Sequence, residues 1–385
     1  MTRVTALPAG IRRGLIPAAA IVTSATLAVA AFGSVPGSAT TARGGYRQVN
    51  LVSDLSMKGV LKDPDLVNAW GLAASPGTNA KPGSPLWVAD NGTDKATLYA
   101  GTGPTSVAKV GLVVNVRGAA PTGQIFNPFP HAFGVSDGKG HHAPALFVFD
   151  TENGTIDGWS PTIGAVGNNP STTTFVLHRK AGAIYKGLAT ARFNGEPVLY
   201  ATNFHSGKVE AYDRSLHPMS LPGHFVDPNL PAGYAPFGIA EINGNLIVTY
   251  AKQDADREDD VAGPGHGFID MFGNGGHFLG RLGTRGPLNS PWGIALAPPG
   301  FGRWAGALLI GNFGNGHINV YNPTILRHGH LGQMLRPSGR PMVIPGLWAL
   351  MAGNGNAAKT NEVLFSAGPS DETHGLLGKF IPQIP

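Results

Sequence analysis

Short apolar runs separated by glycine, proline and polar residues recur along most of the chain in a repeated three-part pattern. One unit opens with "SPWGIAL" (290–296), continues with "ALLIGNF" (307–313) and ends with "GHINVYN" (316–322). Runs of this length, bounded by turn residues and without a 3.6-residue period, are typical of β-strands. The pattern therefore predicts three consecutive short strands in each unit.

Six copies of the opening run lie about 50 to 60 residues apart: "NAWGLAA" (68–74), "HAFGVS" (131–136), "IYKGLAT" (184–190), "APFGIAE" (235–241), "SPWGIAL" (290–296) and "GLWALMA" (346–352). Repeats of this period built from strands indicate a β-propeller. The expected fold class is all-β, a six-bladed β-propeller with four-stranded blades. Each opening run is predicted to be the innermost strand of its blade.

The fourth strand of the first five blades is expected in the runs "KVGLVVNV" (109–116), "TTFVLHR" (173–179), "GHFVD" (223–227), "GHFLGRLG" (276–283) and "GHLGQML" (329–335). The sixth blade lacks such a run, because the chain ends first. The segment "YRQVNLVSD" (46–54) precedes the first repeat without a partner. Pairing it with the last blade would close the ring and cover two open sheet edges.

The aromatic residue before each glycine is expected to fill the gap between adjacent blades, because large rings dominate core burial. This expectation covers Trp70, Phe133, Phe237 and Trp292. The glycine would let neighbouring backbones approach closely near the crowded axis.

The first 42 residues have the layout of a secretory signal: a basic start, an apolar stretch from Leu15 to about Phe32, and small residues after it. The expected domains are a signal peptide (1–42) and a single propeller (43–385), and the expected location is extracellular. A membrane anchor is the alternative, and the pair Arg12-Arg13 leaves Sec and twin-arginine export open. No later apolar run approaches the roughly 20 residues that span a bilayer.

The composition supports a turn-rich β protein, since charged residues make up 13% of the chain while it contains 56 glycines and 32 prolines. The net charge is +5, but the basic residues are spread out and the densest run (327–340) lacks interleaved aromatics, so nucleic acid is not an expected partner. With no cysteine, thiol catalysis, thiolate metal sites and disulfides are excluded. We expect a monomer.

The run "PWGIA…LLIGNFGNGHINVYN" resembles NHL-type propeller repeats. Together with "LVNAWGLAASPG" (66–77), "LWVADNGTDKATLYAG" (86–101) and "VTYAKQDADREDDVAGPGHGFIDMF" (248–272), it makes residues 46–380 similar to a family of exported bacterial propeller proteins of uncharacterised function. The resemblance implies the propeller fold and an export route. NHL-like propellers serve as binding platforms, lactonases and lyases, so it implies no single reaction.

Polar residues cluster in the turns expected around one mouth of the central channel. The candidate ligand-binding residues are Asn68, Asp90, Asn91, His131, Asp150, Asn203, His205 and Asn312. Convergent carboxylate, amide and imidazole groups suit a polar small ligand or a hard cation. Asp and Asn are also ordinary turn formers, and this alternative stays open for each residue.

One loop, residues 253–267, is longer and more acidic than its counterparts. Its spacing does not match an EF-hand, because Asp259 stands where that motif needs glycine. A different calcium site is predicted there, because the clustered carboxylates repel one another unless a cation offsets them. The candidate metal ligands are Asp254, Asp256, Glu258 and Asp260. A solvated acidic loop is the alternative.

The run "GVSDG" (134–138) matches a hydrolase nucleophile motif, but it lacks the strand-to-helix turn that this motif needs.

Two functions stay open for the protein. The first is a binding or scaffold module for a small polar ligand, a glycan or a protein. The second is a calcium-dependent hydrolase or lyase of the lactonase type. Calcium lactonases of this shape hold the ion with a glutamate low in the first blade, and no glutamate stands at the inner-strand starts.

Overall fold

The computed structural model describes residues 44–77, 81–103 and 105–383, so the expected signal segment (1–42) lies outside them. The described part of the chain contains six sheets of four or five strands and one separate two-stranded sheet. This confirms the predicted six-bladed β-propeller. Among the described residues, no helix has the length and apolar character needed to cross a membrane.

The strands follow in chain order, blade by blade. The chain opens with β1 (Tyr46–Ser53) and β2 (Leu61–Lys62). Blade one contains β3 (Ala69–Ala73), β4 (Leu86–Asp90), β5 (Lys95–Ala100) and β6 (Ala108–Asn115), with a 3₁₀ turn at Asn91–Thr93. Blade two contains β7 (Pro121–Phe126), a separate hairpin of β8 (Gly134–Ser136) and β9 (His142–Pro144), and then β10 (Phe147–Thr151), β11 (Thr155–Trp159) and β12 (Phe175–Arg179). Blade three contains β13 (Tyr185–Phe193), β14 (Glu196–Asn203), β15 (Lys208–Tyr212) and β16 (Pro218–Met219).

Blade four contains β17 (Tyr234–Ile242), β18 (Asn245–Lys252), β19 (Phe268–Gly273) and β20 (Phe278–Thr284). Blade five contains β21 (Pro291–Leu296), β22 (Leu308–Asn312), β23 (Ile318–Tyr321) and β24 (His330–Gln333), with a 3₁₀ turn at Gly302–Trp304. Blade six contains β25 (Leu347–Ala352), β26 (Val363–Ala367) and β27 (Leu376–Pro382).

The N-terminal strand closes the ring, as predicted. Strand β1 lies antiparallel beside β27, with pairs running from Tyr46 opposite Pro382 to Ser53 opposite Leu376. The sixth sheet has the strand order β2-β1-β27-β26-β25. The two ends of the propeller are therefore joined by main-chain hydrogen bonds, and the edge of the last blade is covered.

The predicted inner strand of blade two is wrong. The inner position is taken by β7, "PTGQIF", while Gly134 of "HAFGVS" begins the separate hairpin β8–β9. Backbone packing explains why β7, and not the "HAFGVS" run, occupies the inner position. A Cβ atom on Gly123 of β7 would lie 2.5 Å from the backbone nitrogen of Leu188 in blade three, whereas one on Gly134 would meet open space. The expected fourth strand of blade three, "GHFVD" (223–227), is likewise replaced by the two-residue strand β16.

The aromatic residues of the inner strands close the channel rather than filling the gaps between adjacent blades. The ring centroids of Trp70 and Trp348 lie 3.9 Å apart, and those of Trp292 and Trp348 lie 5.7 Å apart. Phe237 lies 5.9 Å from Trp348. The ring centroids of Trp70 and Trp292, in blades one and five, lie 6.1 Å apart. Because these blades are not neighbours, the contacts cross the axis. We call Trp70, Phe237, Trp292 and Trp348 the aromatic plug. Phe133 packs elsewhere, in the core around the β8–β9 hairpin.

Candidate functional site

The inner strands begin at the same face of the ring, where the turns between second and third strands also lie. In every blade the first residue of the inner strand pairs with the end of the second strand, as Tyr185 does with Asn203 and Pro291 with Asn312. Polar side chains at these two positions are therefore brought together around one channel mouth, directly above the aromatic plug.

Lys186 lies at the centre of this mouth. It takes the place in the repeat that an aromatic residue holds in most other blades, and its side chain is only 2% exposed. Its Nζ donates to Glu152 Oε1 at 2.5 Å and to Asp259 Oδ1 at 2.9 Å, and it lies 5.1 Å from the ring centre of Trp70. Burial opposes the charged form, but the two carboxylates outweigh it and hold the pKa of Lys186 above its ordinary value.

A chain of hydrogen bonds connects this lysine to blades one and six. Asn91 Nδ2 donates to Glu152 Oε2 at 3.0 Å, and Asn68 Nδ2 lies 3.2 Å from Asn91 Oδ1 and 2.6 Å from Glu372 Oε2. The aromatic plug is connected to the same series of hydrogen bonds, because Trp348 Nε1 donates to Asn68 Oδ1 at 2.9 Å. The mouth is thus one connected polar network above a closed channel.

The backbone that carries Glu372 is strained. Ser370, Asp371 and Glu372 all have left-handed backbone angles, with φ of 58°, 52° and 63°. The Glu372 N–H donates to the Gly368 carbonyl at 3.2 Å, which closes a left-handed turn. Such a conformation costs roughly 1–2 kcal/mol for each residue that is not glycine. Strain of this kind clusters at functional sites, where the surrounding structure holds it in place.

Two carboxyl groups of the mouth titrate abnormally. Burial raises the pKa of Glu372 to about 7, and the charge of Glu152 adds to the effect. Burial also raises the pKa of Asp260 to about 6, and its Oδ2 atom is buried without a protein hydrogen-bond partner. The mouth therefore contains two carboxyl groups, beside the Lys186 ion pairs, whose pKa values lie much closer to neutral pH than those of ordinary carboxyl groups.

Replacing Glu372 with Gln is expected to remove a pH dependence of stability. The folded pKa lies above the unfolded value, so the wild type loses stability as the pH rises from about 4.5 to about 7. Above pH 7 the Glu372→Gln variant should be more stable by roughly 2 kcal/mol, and below pH 4.5 the two should be equal. Melting temperatures measured between pH 4 and pH 9 test this. A difference that does not change with pH would contradict the environment described for Glu372.

A pocket of about 480 Å³ lies beside Lys186, between the turns of blades two, three and four. Its polar lining comes from Glu152, Asn153, His205, Glu258 and Asp259. The Nδ1 atom of His205 is buried there without a protein hydrogen-bond partner. The pocket thus combines several carboxylate acceptors with an imidazole nitrogen that a ligand could satisfy.

Three of the predicted ligand-binding residues lie at this mouth: Asn68 and Asn91 in the hydrogen-bond chain, and His205 in the pocket. Two others are enclosed within blades. Asp90 is fully buried beside Thr97, and burial holds its pKa well above the ordinary value. Asp150 is also fully buried, its Oδ1 accepts from Thr122 Oγ1 at 2.9 Å, and burial raises its pKa to about 7.

Two more predicted residues stabilise turns. Asn203 donates to Glu210 Oε1 at 2.7 Å and accepts from the Ser206 N–H, while Asn312 donates to the Pro287 carbonyl at 2.8 Å. Both asparagines therefore act as turn formers, the alternative that the sequence left open for them.

His131 does not lie with the others. Its expected place, at the entry of an inner strand, followed from the wrong strand assignment in blade two. It is exposed in the segment after the end of β7, and its carbonyl accepts from Arg214, which follows the end of β15. Both strand ends are remote from the mouth, so His131 lies on the opposite face.

The acidic loop folds back on itself at the mouth. Gln253 and Asp260 form an isolated bridge, and Asp254 Oδ1 accepts from the Glu258 N–H at 2.9 Å. Asp256 is exposed, and the loop acid that contacts the centre of the mouth is Asp259. In the part of the chain that the structure describes, no group of three or more His, Asp or Glu side chains is arranged to hold a metal ion. Calcium binding by Asp254, Asp256, Glu258 and Asp260 stays a prediction.

The central residues Lys186 and Glu372 were not among the predicted site residues, whereas Glu152 belongs to the polar turns expected around the mouth. A signal for Lys186 was present in the repeat, because a lysine replaces the aromatic residue in "IYKGLAT". Glu372 had no such signal, since its direction depends on the left-handed turn.

Fold and site together define a six-bladed propeller whose channel is closed by aromatic side chains beneath a polar, partly acidic mouth. No protein-family model matches the chain. It is 31% identical over 338 residues to the uncharacterized protein R648 of Acanthamoeba polyphaga mimivirus, covering 85% of this chain and 78% of that protein. The chain belongs to the same family as R648. It is also 29% identical to the uncharacterized protein L690 of the same virus, over 86% of this chain and 84% of that protein.

A solved structure with a similar fold is that of the alpha-L-arabinanase of Penicillium chrysogenum, complexed with arabinobiose. The similarity has a TM-score of 0.51 and 10% sequence identity, and covers 86% of this chain and 98% of the arabinanase. At this identity the similarity shows the propeller fold alone.

Proposed function

We propose that this protein is a binding module that holds a small polyhydroxylated ligand, such as a mono- or oligosaccharide, at the channel mouth. The observation that carries the proposal is the buried Lys186, held charged by Glu152 and Asp259 beside an open polar pocket. A charged side chain this deeply buried is costly unless it is paired, and the two neighbouring blades supply the pairing, Glu152 from blade two and Asp259 from blade four. Such preorganised polar groups suit recognition of a ligand.

The composition of the pocket favours a ligand rich in hydrogen-bond donors. Glu152, Glu258 and Asp259 contribute acceptor oxygens, while Lys186 offsets part of their charge. An anionic ligand would be repelled by the remaining negative charge. Hydroxyl groups can donate to the carboxylates and accept from a protonated His205 Nδ1, or donate to it in its neutral form.

A panel of saccharides, polyols and small anions, screened by melting temperature and followed by calorimetry, tests this function. We expect saccharides or polyols to bind and anions not to bind. His205→Ala and Glu258→Gln should weaken binding about tenfold each, because both side chains line the pocket without supporting the core. Glu196→Gln, an exposed change at the start of β14, is the matched control and should leave binding unchanged. Equal affinities for all three variants would refute the site.

A calcium-dependent hydrolase or lyase is the second candidate function, favoured by the buried, unpartnered Oδ2 atom of Asp260 in the acidic loop. If the loop binds calcium, the ion should raise the melting temperature of chelator-stripped protein, since a ligand that binds the folded state stabilises it. Magnesium is the control and should have a smaller effect, because it needs a more rigid octahedral site. The absence of both a melting shift and a heat of binding would leave the loop as a solvated acidic surface.

We also propose that the protein is exported and that its mature chain starts between about residues 39 and 46, where small residues follow the apolar segment. The intact mass of protein collected from the medium should match a chain without residues 1–38. A mass that retains residues 15–32 would support the membrane anchor instead.

A further inference from the structure

The channel contains a second compartment, on the other side of the aromatic plug from the polar mouth. It is a cavity of about 490 Å³ lined by the inner strands of all six blades. Trp292 lies at its inner end, and the walls are formed by small and aliphatic residues such as Leu188, Ile239, Ile294 and Leu350. Its size and lining are those of a small-molecule site.

Gln124 is the exception among these walls. It follows Gly123 in β7, at the position that Leu or Ile occupies in the inner strands of the other five blades. Its side chain lies within the ring, with only 6% of the residue exposed, and neither Oε1 nor Nε2 has a hydrogen-bond partner in the protein. A buried carboxamide with both functions unpaired is unfavourable, and native proteins rarely keep one without a ligand or water to satisfy it.

The charge of the compartment restricts what could bind there. Among the residues that line it, the sole ionisable side chain is Glu241, which is exposed near the end of β17 and accepts from the Gly244 N–H. A charged ligand would therefore lose its hydration without gaining a partner of opposite charge. An uncharged molecule with an apolar body would lose little hydration energy and would bury its surface against the aliphatic walls.

We propose that this compartment is a second ligand site, which binds a small uncharged molecule with an aromatic or aliphatic body and one amide-like group that pairs with Gln124. An amide both donates and accepts, so it can satisfy the Oε1 and Nε2 atoms together. The site is separate from the mouth, because the rings of the aromatic plug lie between the two. This proposal does not depend on the function proposed for the mouth.

Two probes with the same ring system, 2-naphthamide and naphthalene, test the proposal by fluorescence titration of the full chain. The wild type should bind 2-naphthamide with one-to-one saturation and at least tenfold more tightly than naphthalene. Gln124→Leu restores the residue type of the other blades, so it should fold and melt at or above the wild-type temperature. It should reduce the affinity for 2-naphthamide to that for naphthalene and leave naphthalene binding unchanged.

Two further variants locate the binding. Gln48→Leu, a change of the same type on the outer strand β1, should leave both affinities unchanged. Ala240→Phe, at a residue that lines the compartment, should abolish binding of both probes while circular dichroism shows that the variant is folded. If 2-naphthamide does not saturate the wild type, the compartment holds water only and the proposal is wrong. Equal affinity of wild type and Gln124→Leu for 2-naphthamide would also overturn it.

Discussion

Deleting residues 46–54 is expected to leave the protein insoluble, or to lower its melting temperature by about 10 °C or more. The segment contains β1, whose side chains Tyr46, Val49, Leu51 and Val52 are each at most 7% exposed. Burying an apolar side chain of this size contributes about 1.5–3 kcal/mol, so the loss approaches the whole stability of a typical domain. The deletion also exposes the edge of β27, and an open edge promotes aggregation.

Point variants separate the burial from the length of the chain. Leu51→Ser removes a fully buried side chain of β1 and should destabilise the protein by about 3 kcal/mol, whereas Arg47→Ser changes an exposed side chain of the same strand and should have little effect. Thermal melting followed by circular dichroism measures both. A soluble deletion variant with the wild-type melting temperature would show that β1 does not close the ring.

Replacing Lys186 with Met is expected to destabilise the protein by about 3 kcal/mol at pH 8. The change keeps the length of the side chain but removes the charge between Glu152 and Asp259, and breaking a buried ion pair from one side typically costs about 3–5 kcal/mol. We expect a cost at the lower end of this range because the Asp259 side chain is 76% exposed and can be rehydrated. The charge of Lys186 also lowers the pKa of Glu372 and of Asp260, so its loss disfavours the ionised forms that both groups adopt at pH 8. The loss of stability should therefore be smaller at pH 4, where both groups are protonated with or without the lysine.

Lys208→Met is the matched control, because Lys208 is an exposed lysine of β15 in the same blade. Urea unfolding of both variants at the two pH values gives the comparison. If the two lysine variants lose the same stability, or if the Lys186→Met loss does not depend on pH, Lys186 does not hold the mouth together by its charge.

The repeat pattern predicted most of the architecture because each blade must bury the same faces against its neighbours. It identified five of the six inner strands and the closing strand. It failed in blade two, where Thr122 replaces the aromatic residue and the true inner strand lacks the aromatic-glycine pair, while an inserted hairpin contains one at Phe133. The close contact of Gly123 with blade three decides between them, and such a contact between blades is not visible in a local sequence window.

The aromatic residues show the same limit. Their spacing indicated that they occupy equivalent positions, and this is confirmed for Trp70, Phe237 and Trp292, which share one core cluster with Trp348. It is wrong for Phe133. Whether equivalent side chains point between blades or toward the axis depends on strand orientation within the ring, which the repeat alone does not specify.

The site was predicted in outline and not in detail. The mouth face, the polar turns, and Asn68, Asn91 and His205 were identified from the positions of turns. Asp90 and Asp150 were not separable from them by sequence, because a carboxylate at the end of a strand can turn toward the mouth or into the blade. The roles of Lys186 and Glu372 arise from contacts between residues at least 34 positions apart, and from the left-handed turn at residues 370–372.

A crystal structure of the protein with the tightest-binding saccharide or polyol of the panel would show directly whether the mouth is a ligand site. We expect ligand density in the pocket beside Lys186, with ligand hydroxyl groups within hydrogen-bond distance of Glu152, Glu258 or Asp259 and of His205. Density for the ligand at any other position, with this pocket filled only by water, would contradict it.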